Sequence, residues 1–254
     1  MNVLVTAGGT VAPIDDVRQI TNASTGRFGA MIAEEALRRG ADVWYLHAPG
    51  ALRPFDRLAK FDLDAEDPAA EVRRLAHLKV DWSEVRDRCH LEPLRQGTVA
   101  EYAERLEATL RLHAIDVAFL AMAASDFAPE PISGKLSSDA STLVLHCHRL
   151  PKVIQAVRGW SPSVYLVGFK LLSNAPEDEL IRQAEAACLA NRADLTVAND
   201  LSTVKAGRHT IHLVRPGRSP ETFGPDEPIA ERLVDRAFEW ASARGRSTSP
   251  QPPP

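Results

Sequence analysis

The sequence predicts an α/β domain built on a doubly wound, mostly parallel β-sheet with helices on both faces. Two observations predict this fold. Short apolar segments typical of strands alternate with amphipathic segments typical of helices along much of the chain. Residues 116–124 are also almost wholly apolar, as in a central strand that is covered on both faces. The 254 residues suffice for one such domain, which we place at residues 1–246, with a disordered Ser/Pro-rich tail at 247–254.

The first elements form a strand, a helix and a second strand. Residues 2–6 are an apolar strand that the following glycines end. The apolar residues of segment 27–39 fall on one helical face, and Gly40 follows where a C-terminal cap belongs. Residues 43–46 form the next strand. The order is that of a Rossmann-like βαβ unit with an unusually long first loop.

The middle of the chain is the least regular in pattern. Residues 47–96 contain only a weak helical pattern at 69–78, so we interpret them as a variable insertion. Thr98 and Glu101 then match a capping box, which predicts a helix that runs to about His113.

The second half continues the alternation and adds a short excursion away from the main sheet. The predicted strands are 143–147, in the excursion, and 163–167, 195–198 and 210–214. The predicted helices begin at Pro151, run from Pro176 to about Asn191, and close the domain at 228–243.

Composition excludes several classes of function. The net charge is −4 and the cations are spread along the chain, so no nucleic-acid or membrane surface is predicted. The three cysteines are odd in number and far apart, which indicates reduced thiols. We expect a cytoplasmic protein because the chain shows neither a signal peptide nor a transmembrane segment. The histidines lack metal-ligand spacing, so no metal site is assigned.

The glycines after the first strand are the sharpest local feature. Gly8 and Gly9 permit a sharp turn, and Gly26 and Gly29 flank the start of the first helix. Backbone N–H groups at a helix start bind anions, so the pattern favours a phosphate site. The spacing matches neither of the familiar glycine-rich phosphate motifs. Glycines that serve only turn and packing geometry are the alternative.

Four loops at the carboxyl ends of strands are expected to meet in one cleft. Their candidate ligand-binding residues are Gly8, Gly9, Thr10, Ala123, Asp126, Gly168, Phe169, Lys170, Asn199 and Asp200. Asp126 is the candidate contact for Mg²⁺ or a ribose. By themselves, Arg18 and Lys135 fit solvated surface cations, and Asn22 fits a local turn.

Five segments, in the same order, resemble the phosphopantothenoylcysteine synthetase (phosphopantothenate–cysteine ligase) family. They are VTAGGTVAPIDDVRQITNASTGRFGAMIAEEALRRGADV (5–43), AMAASDFAPEP (121–131), GKLSS (134–138), VGFKLL (167–172) and VANDLS (197–202). The motifs GFKL and GKLSS are more similar to those of the eukaryotic type. Since the likeness begins at Met1, we expect the monofunctional form, with any decarboxylase on a separate chain.

The resemblance implies a ligase that joins 4′-phosphopantothenate to L-cysteine through an acyl-nucleotidylate, made from ATP or CTP with Mg²⁺ and without a flavin. It implies Asn22, Arg18 and Lys135 as catalytic residues. It also implies a phosphate loop of Gly8, Gly9, Ser24, Gly26 and Gly29, and a base pocket at Phe169 and Asn199. The family's dimers imply a homodimer that forms through residues 130–150.

Two alternatives remain open. Leu172 stands where the family usually has glutamate, and Met122 where it usually has alanine, so a nucleotide-binding module without ligase activity is one alternative. The other is a short-chain-type NAD(P)-dependent reductase. Against it, the first loop is too long, no acidic residue ends the second strand, and no YxxxK pair follows.

Overall fold

The computed structural model describes residues 1–137 and 141–247, with side chains to residue 244. Within this part the strands are β1 (Asn2–Ala7), β2 (Val11–Pro13), β3 (Gln19–Thr21), β4 (Asp42–His47), β5 (Cys89–Pro93), β6 (Val117–Leu120), β7 (Phe127–Pro129), β8 (Cys147–Arg149), β9 (Tyr165–Leu172), β10 (Leu195–Asp200), β11 (Ile211–Val214) and β12 (Glu221–Phe223). The helices are α1 (Arg27–Arg38), α2 (Pro68–Val85), α3 (Val99–Leu112), α4 (Val153–Trp160), α5 (Glu177–Ala190), α6 (Leu201–Lys205) and α7 (Ile229–Ser247).

Eight strands form the central sheet in the order β12-β11-β10-β9-β6-β1-β4-β5. The pairs from β10 across to β5 are parallel, and β11 and β12 add antiparallel pairs at one edge. The mostly parallel sheet predicted from the sequence is therefore confirmed. Two hairpins, β2 with β3 and β7 with β8, stand outside this sheet.

Helices cover both faces of the sheet, as predicted. Val3 and Val5 of β1 belong to a core with Ile32 of α1 and Leu233 of α7. Leu4 points the other way, into a core that includes Leu106 of α3 and residues of α4. Because successive side chains of a strand alternate between faces, an apolar β1 supplies both cores at once.

The first helix follows its sequence pattern closely. Its apolar residues Ile32, Ala33 and Leu37 are fully buried. Gly40 adopts a left-handed φ of 79° and its N–H donates to the Leu37 carbonyl oxygen, which closes the C-terminal cap predicted for it. Within the described residues, no helix is long and apolar enough to cross a membrane.

The segment 47–96 holds more structure than its sequence predicts. It includes α2, a 3₁₀ turn at Arg86–Arg88 and β5, the strand at one edge of the central sheet. The pattern of α2 is weak because only Glu71 and Val85 of its residues are buried. Every residue of β5 is half-buried or exposed, and the strand pairs only with β4 at the edge of the sheet.

Several predicted boundaries were wrong. The strand predicted at 143–147 is Cys147–Arg149, and Leu143 and Val144 are 54% and 67% exposed. The helix predicted from Pro151 begins at Val153, after Lys152 as its N-cap. The apolar segment 116–124 is a strand only to Leu120, beyond which Met122 N–H donates to the Thr6 hydroxyl oxygen.

Two further elements end later than predicted. The strand predicted at 163–167 is Tyr165–Leu172, and the closing helix continues to Ser247 rather than ending near 243. The predicted disordered tail otherwise falls on residues 248–254, outside the described residues.

Candidate nucleotide site

The β1 and β6 strands lie side by side at the point where the chain reverses its direction across the sheet. From β1 the chain proceeds to β4 and β5 on one side, and it returns to β6 on the other. Doubly wound sheets open a crevice at such a switch point, beyond the carboxyl ends of the strands. We name this space the β1/β6 crevice.

The loops after β1 and β6 are tied together at the crevice. Thr10 N–H donates to the Ala123 carbonyl oxygen at 3.1 Å, and Ala123 N–H donates to the Gly8 carbonyl oxygen at 2.8 Å. Ser125 N–H donates to the Thr10 hydroxyl oxygen at 2.9 Å. Thr10 is fully buried, so its side chain supports the loop junction from below.

The glycines of the β1–α1 loop permit close approaches. A Cβ on Gly9 would lie 2.5 Å from the Asn22 carbonyl oxygen, and one on Gly29 would lie 2.7 Å from the Ala7 Cβ. Gly8 and Gly26 have φ of 92° and 74°, a region that favours glycine. These glycines therefore serve turn and packing geometry, one of the two interpretations from the sequence. They also flank the start of α1, as the other interpretation, a phosphate site, requires.

The N-terminus of α1 is the candidate anion site. Gly26 is its N-cap and supplies no side-chain cap, the Arg27 N–H donates to Thr25 Oγ1 at 3.4 Å, and no acidic residue lies in the first turn. The first N–H groups of a helix lack intrahelical partners and carry the positive end of its dipole. Ser24 lies beside this turn, with its hydroxyl oxygen 3.4 Å from Gly26 N.

Asn22 spans the crevice from the β1–α1 loop to the β6 loop. Its Nδ2 donates to the Ala123 carbonyl oxygen at 2.9 Å, although the residue is exposed. This bond fixes the orientation of the amide, since only the nitrogen can donate. The side-chain oxygen makes no hydrogen bond to a described residue and is available to a ligand.

Arg18 and Lys135, which are far apart in sequence, belong to adjoining segments. Leu136 N–H donates to Asp15 Oδ2 at 3.1 Å, and Arg18 contacts both Asp15 Oδ2, at 3.1 Å, and the Leu136 carbonyl oxygen, at 3.3 Å. Ile132 N–H donates to the Ile14 carbonyl oxygen at 2.9 Å. Lys135 is exposed beside this junction.

Asp15 organises the junction and was missed by the sequence analysis. Burial opposes its ionisation, but the N–H groups of Val17, Leu136 and Arg18 donate to its carboxylate, and its pKa is lowered. Asp15 is 6% exposed, whereas its neighbour Asp16 is exposed. The Asp-Asp pair within the long first loop was the available signal.

Asp126 lies at the edge of the β6 loop and is already paired. Lys152 Nζ is 3.2 Å from Asp126 Oδ1, and both side chains are about half exposed, at 42% and 53%. Lys152 belongs to no sequence motif, so the sequence did not predict it. Within the described part of the chain, no cluster of three His, Cys, Asp or Glu side chains is placed to hold a metal ion.

An aromatic cluster closes the side of the crevice toward β9 and β10. Phe28 of α1 meets Phe169 edge-on at 6.0 Å between ring centroids, and meets His209 at 5.0 Å. Asn199 Nδ2 is 3.4 Å from His209 Nε2. Because the amide nitrogen can only donate, Nε2 accepts and the imidazole proton lies on Nδ1. Burial lowers the pKa of His209, which favours this neutral form.

Two other predicted residues lie elsewhere than expected. Gly168 and Lys170 were expected in a loop but lie within β9, paired with Thr196 and Ala198 of β10. The β9 strand continues past them because β10 runs alongside to Asp200, whereas β6 ends at Leu120.

Asp200 lies at the carboxyl end of β10, as expected, but its carboxylate is engaged in local structure. It is the N-cap of α6 and accepts N–H groups of Ser202, at 2.8 Å, and Ala175, at 3.0 Å. A hydrogen bond from the Ser202 hydroxyl, together with these N–H groups, lowers the pKa of Asp200 to about 2.

The two departures from the family pattern pack in hydrophobic clusters. Met122 is 7% exposed in the core beneath α3 and α4. Leu172 packs against the cluster of Leu180 and Ala184 of α5. Neither side chain belongs to the hydrogen-bonded loop junctions of the crevice.

A glycine-lined helix start at the switch point of a doubly wound sheet defines a Rossmann-like α/β domain. The chain belongs to the family of the DNA/pantothenate metabolism flavoprotein C-terminal domain, which matches residues 1–78 and 90–239.

Relatives of known name agree with the resemblance found in the sequence. The chain is 33% identical over 236 residues to the coenzyme A biosynthesis bifunctional protein CoaBC of Thermococcus kodakarensis, which covers 92% of this chain and 50% of that protein. It is 31% identical over 224 residues to phosphopantothenate–cysteine ligase 1 of Oryza sativa, covering 79% of this chain and 68% of the relative. The chain thus spans about half the length of the bifunctional relative.

A solved structure confirms the fold. The DNA/pantothenate metabolism flavoprotein of Streptococcus pneumoniae superposes with a TM-score of 0.74 at 27% identity, covering 94% of this chain and 99% of that one. The relatives include a protein named as bifunctional and one named as a phosphopantothenate–cysteine ligase. Whether this chain is a monofunctional protein of the eukaryotic type stays a prediction.

Proposed function

We propose that the chain joins 4′-phosphopantothenate to L-cysteine in coenzyme A biosynthesis, using ATP or CTP. The observation that carries this proposal is the meeting of Asn22 and the α1 N-terminus, whose first turn has no acidic residue, at the β1/β6 crevice. The names of the relatives, phosphopantothenate–cysteine ligase among them, support the choice of substrates.

In the first step, a carboxylate oxygen of phosphopantothenate attacks the α-phosphorus and the bond to pyrophosphate breaks. This step needs alignment and charge stabilisation more than an amino-acid nucleophile. The N–H groups of the first turn of α1 supply fixed dipoles for the phosphate oxygens. Lys135, exposed beside the Asp15 junction, supplies a mobile positive charge.

In the second step, the cysteine amine attacks the acyl carbon, the C–O bond to the nucleotide breaks, and the amine loses a proton. The nucleoside monophosphate leaves with the bonding electrons. In this proposal Asn22, whose amide nitrogen donates to the Ala123 carbonyl oxygen, binds the acyl-nucleotidylate through its side-chain oxygen and its second amide proton. Arg18, held by Asp15 on the same loop, provides the nearby cation.

The described residues do not fit a magnesium site made by the protein itself. Asp126 has an exposed carboxylate, but Lys152 already neutralises it. Magnesium keeps several waters and binds mainly through substrate phosphates at sites of this kind. We therefore expect Mg²⁺ to enter with the triphosphate.

The predicted homodimer has a candidate surface on the excursion. Large apolar side chains stand exposed there: Phe127, Ile132, Leu143 and Val144 are 49–67% exposed. Contiguous exposed apolar surface marks protein interfaces, and we propose that these side chains contribute to the dimer contact. The decarboxylase on a separate chain, the absence of a flavin and the cytoplasmic location stay predictions.

The test is pyrophosphate release with phosphopantothenate and Mg²⁺, supplying ATP or CTP and adding or omitting cysteine. We expect turnover with one nucleotide to yield the cysteine amide only when cysteine is present. A folded protein that binds a nucleotide but releases no pyrophosphate would instead be the nucleotide-binding module. Reduction or oxidation of NAD(P) would support the reductase.

A further inference from the structure

Residues 48–58, which follow β4, form a strap that covers two glycines of the β1–α1 loop. A Cβ on Gly8 would lie 2.8 Å from the Cβ atoms of both Ala48 and Ala51. A Cβ on Gly26 would lie 3.0 Å from the Ala51 Cβ. Such distances leave no room between the strap and the glycines. The position of the strap and that of the glycine loop therefore depend on one another.

Hydrogen bonds fasten the first half of the strap to the same loop. Ala48 N–H donates to the Ala7 carbonyl oxygen at 2.9 Å, and Leu52 N–H donates to the Thr25 carbonyl oxygen at 2.9 Å. The Tyr45 hydroxyl donates to the Leu52 carbonyl oxygen at 2.6 Å. Ala7 and Thr25 directly precede Gly8 and Gly26, so these bonds hold the strap next to the two glycines.

The second half of the strap is held by Glu34, a fully buried carboxylate on α1. Glu34 Oε1 accepts the Phe55 N–H at 2.7 Å, and Oε2 accepts a hydrogen bond from Arg57 at 2.5 Å. Phe55 has a φ of 69°, a left-handed conformation that side-chain-bearing residues adopt at a cost. The charge-assisted bond from Phe55 N–H to Glu34 offsets that cost.

The buried Glu34 carboxylate fixes the position of the strap in addition to any effect on stability. Burial raises the pKa of Glu34, against the opposing effects of the Phe55 N–H and Arg57. A buried ion pair often stabilises a fold no better than apolar residues of similar volume would. Its directional bonds, however, specify one placement of the strap relative to α1. The same helix presents its N-terminus to the β1/β6 crevice.

We propose that Glu34 is a positioning residue for the nucleotide phosphates, an inference that rests on the proposed function. Glu34 holds the strap on α1, the strap presses on Gly8 and Gly26, and these glycines set the geometry of the phosphate loop. The segment 47–96 thereby takes part in nucleotide binding without contacting the nucleotide. Glu34 acts through Phe55 and Ala51.

The test compares Glu34→Ala and Glu34→Gln with Glu35→Ala as the matched control. Glu35 is the adjacent carboxylate, and it pairs with Arg38 and Arg39 on the surface of α1. The Kd of ATP and CTP is measured by calorimetry without phosphopantothenate, alongside the KM values, kcat and the Tm. We expect Glu34→Ala to raise the Kd and KM of the nucleotide about tenfold, because small misplacements of binding groups are costly.

Glu34→Gln should show an intermediate rise, since its side-chain oxygen can still accept the Phe55 N–H. The KM of cysteine should change little, and Glu35→Ala should bind nucleotide as the wild type does. A lower Tm with unchanged nucleotide Kd would overturn the proposal, because that is the result of a purely structural role.

Ala51→Gly provides a second route if Glu34→Ala does not fold. It removes the methyl group over Gly8 and Gly26 and leaves Glu34 intact, so it should also raise the nucleotide Kd. An unchanged Kd for this variant would overturn the proposal. A wild-type protein that binds no nucleotide would overturn the proposed function and this inference together, whereas wild-type activity with unchanged variants would overturn the inference alone.

Discussion

The β1–α1 loop and the described part of the excursion, residues 127–137 and 141–149, both use glycine, but for different reasons. At Gly9 and Gly29 an added Cβ would meet other atoms at 2.5 and 2.7 Å. Gly134 in the excursion has a φ of 83°, and no atom of a described residue lies within 4 Å of an added Cβ. In the first region glycine is required by packing, and in the second only by backbone conformation. The free space at each glycine therefore distinguishes the closely packed β1–α1 loop from the exposed surface segment around Gly134.

The strongest test of the β1–α1 loop is Asn22→Asp. The change keeps the size of the side chain but replaces the donor to Ala123 with a carboxylate beside the expected phosphates. We expect the fold and nucleotide binding to persist, while product formation falls on the order of 100-fold or more. Quantifying the cysteine amide by mass spectrometry checks this.

Asn191→Asp, at the C-terminal end of α5, is the matched control and should keep its activity. Normal turnover by Asn22→Asp would remove Asn22 from the mechanism.

Gly9→Ala tests whether packing governs the same loop. The new methyl group would lie 2.5 Å from the Asn22 carbonyl oxygen, so the backbone that carries Asn22 must move. We expect the free energy of unfolding to fall by about 1–3 kcal/mol, and kcat/KM to fall about tenfold or more. Denaturant unfolding and steady-state kinetics measure the two effects.

Gly159→Ala is the control for Gly9→Ala, because α4 leaves open space at that glycine. It should stabilise the protein by roughly 0.4–1 kcal/mol and leave catalysis unchanged. Equal effects of the two substitutions would contradict the packing argument.

Val144→Glu tests the excursion as a dimer surface. Val144 is 67% exposed, so a charge there should not destabilise the isolated chain. At a dimer interface it should raise the dissociation constant of the dimer about tenfold, since a buried unpaired charge is costly. Analytical ultracentrifugation measures this constant, with the exposed Val80 of α2 as the site of the matched Val80→Glu control.

The smallest expected effect is a pH dependence at His209. Its folded-state pKa lies below the ordinary 6.5, so its contribution to stability is fully present above about pH 6.5 and is lost as the pH falls through the folded-state pKa. His209→Gln should therefore lose less stability than the wild type between pH 7 and pH 5. Denaturant unfolding at both pH values measures this, and equal losses would show that His209 does not carry the effect.

The sequence predicted the elements whose burial is most regular. β1, α1 and β4 were placed within one or two residues, because their buried side chains repeat with the periods of strand and helix. The capping box was half right: Thr98 accepts Glu101 N–H, but Glu101 itself accepts the N–H groups of the loop at 95–97. The edge strand β5 was missed because its exposed residues break the apolar pattern.

The sequence likewise predicted some residues of the candidate site and missed others. Its glycines and Asn22 were predicted from the sequence, partly by family resemblance, whereas Asp15, Lys152 and His209 were not. Each of the missed residues has a partner distant in the chain, namely Leu136 for Asp15, Asp126 for Lys152 and Phe28 for His209, although Asp15 also accepts the N–H groups of its neighbours Val17 and Arg18. Sequence spacing carries no information about such contacts.

By itself, the sequence determined the α/β class, the mostly parallel sheet and the family, because side-chain periodicity and ordered motifs are local properties of a chain. Only the tertiary structure decided that residues 48–58 lie on Gly8 and Gly26, and that Glu34 holds them there. The physical reason is that close packing and buried hydrogen bonds depend on distances between elements that are remote in sequence. The local sequence pattern of 47–96 is polar and irregular, yet the strap within it packs closely against Gly8 and Gly26 of the β1–α1 loop.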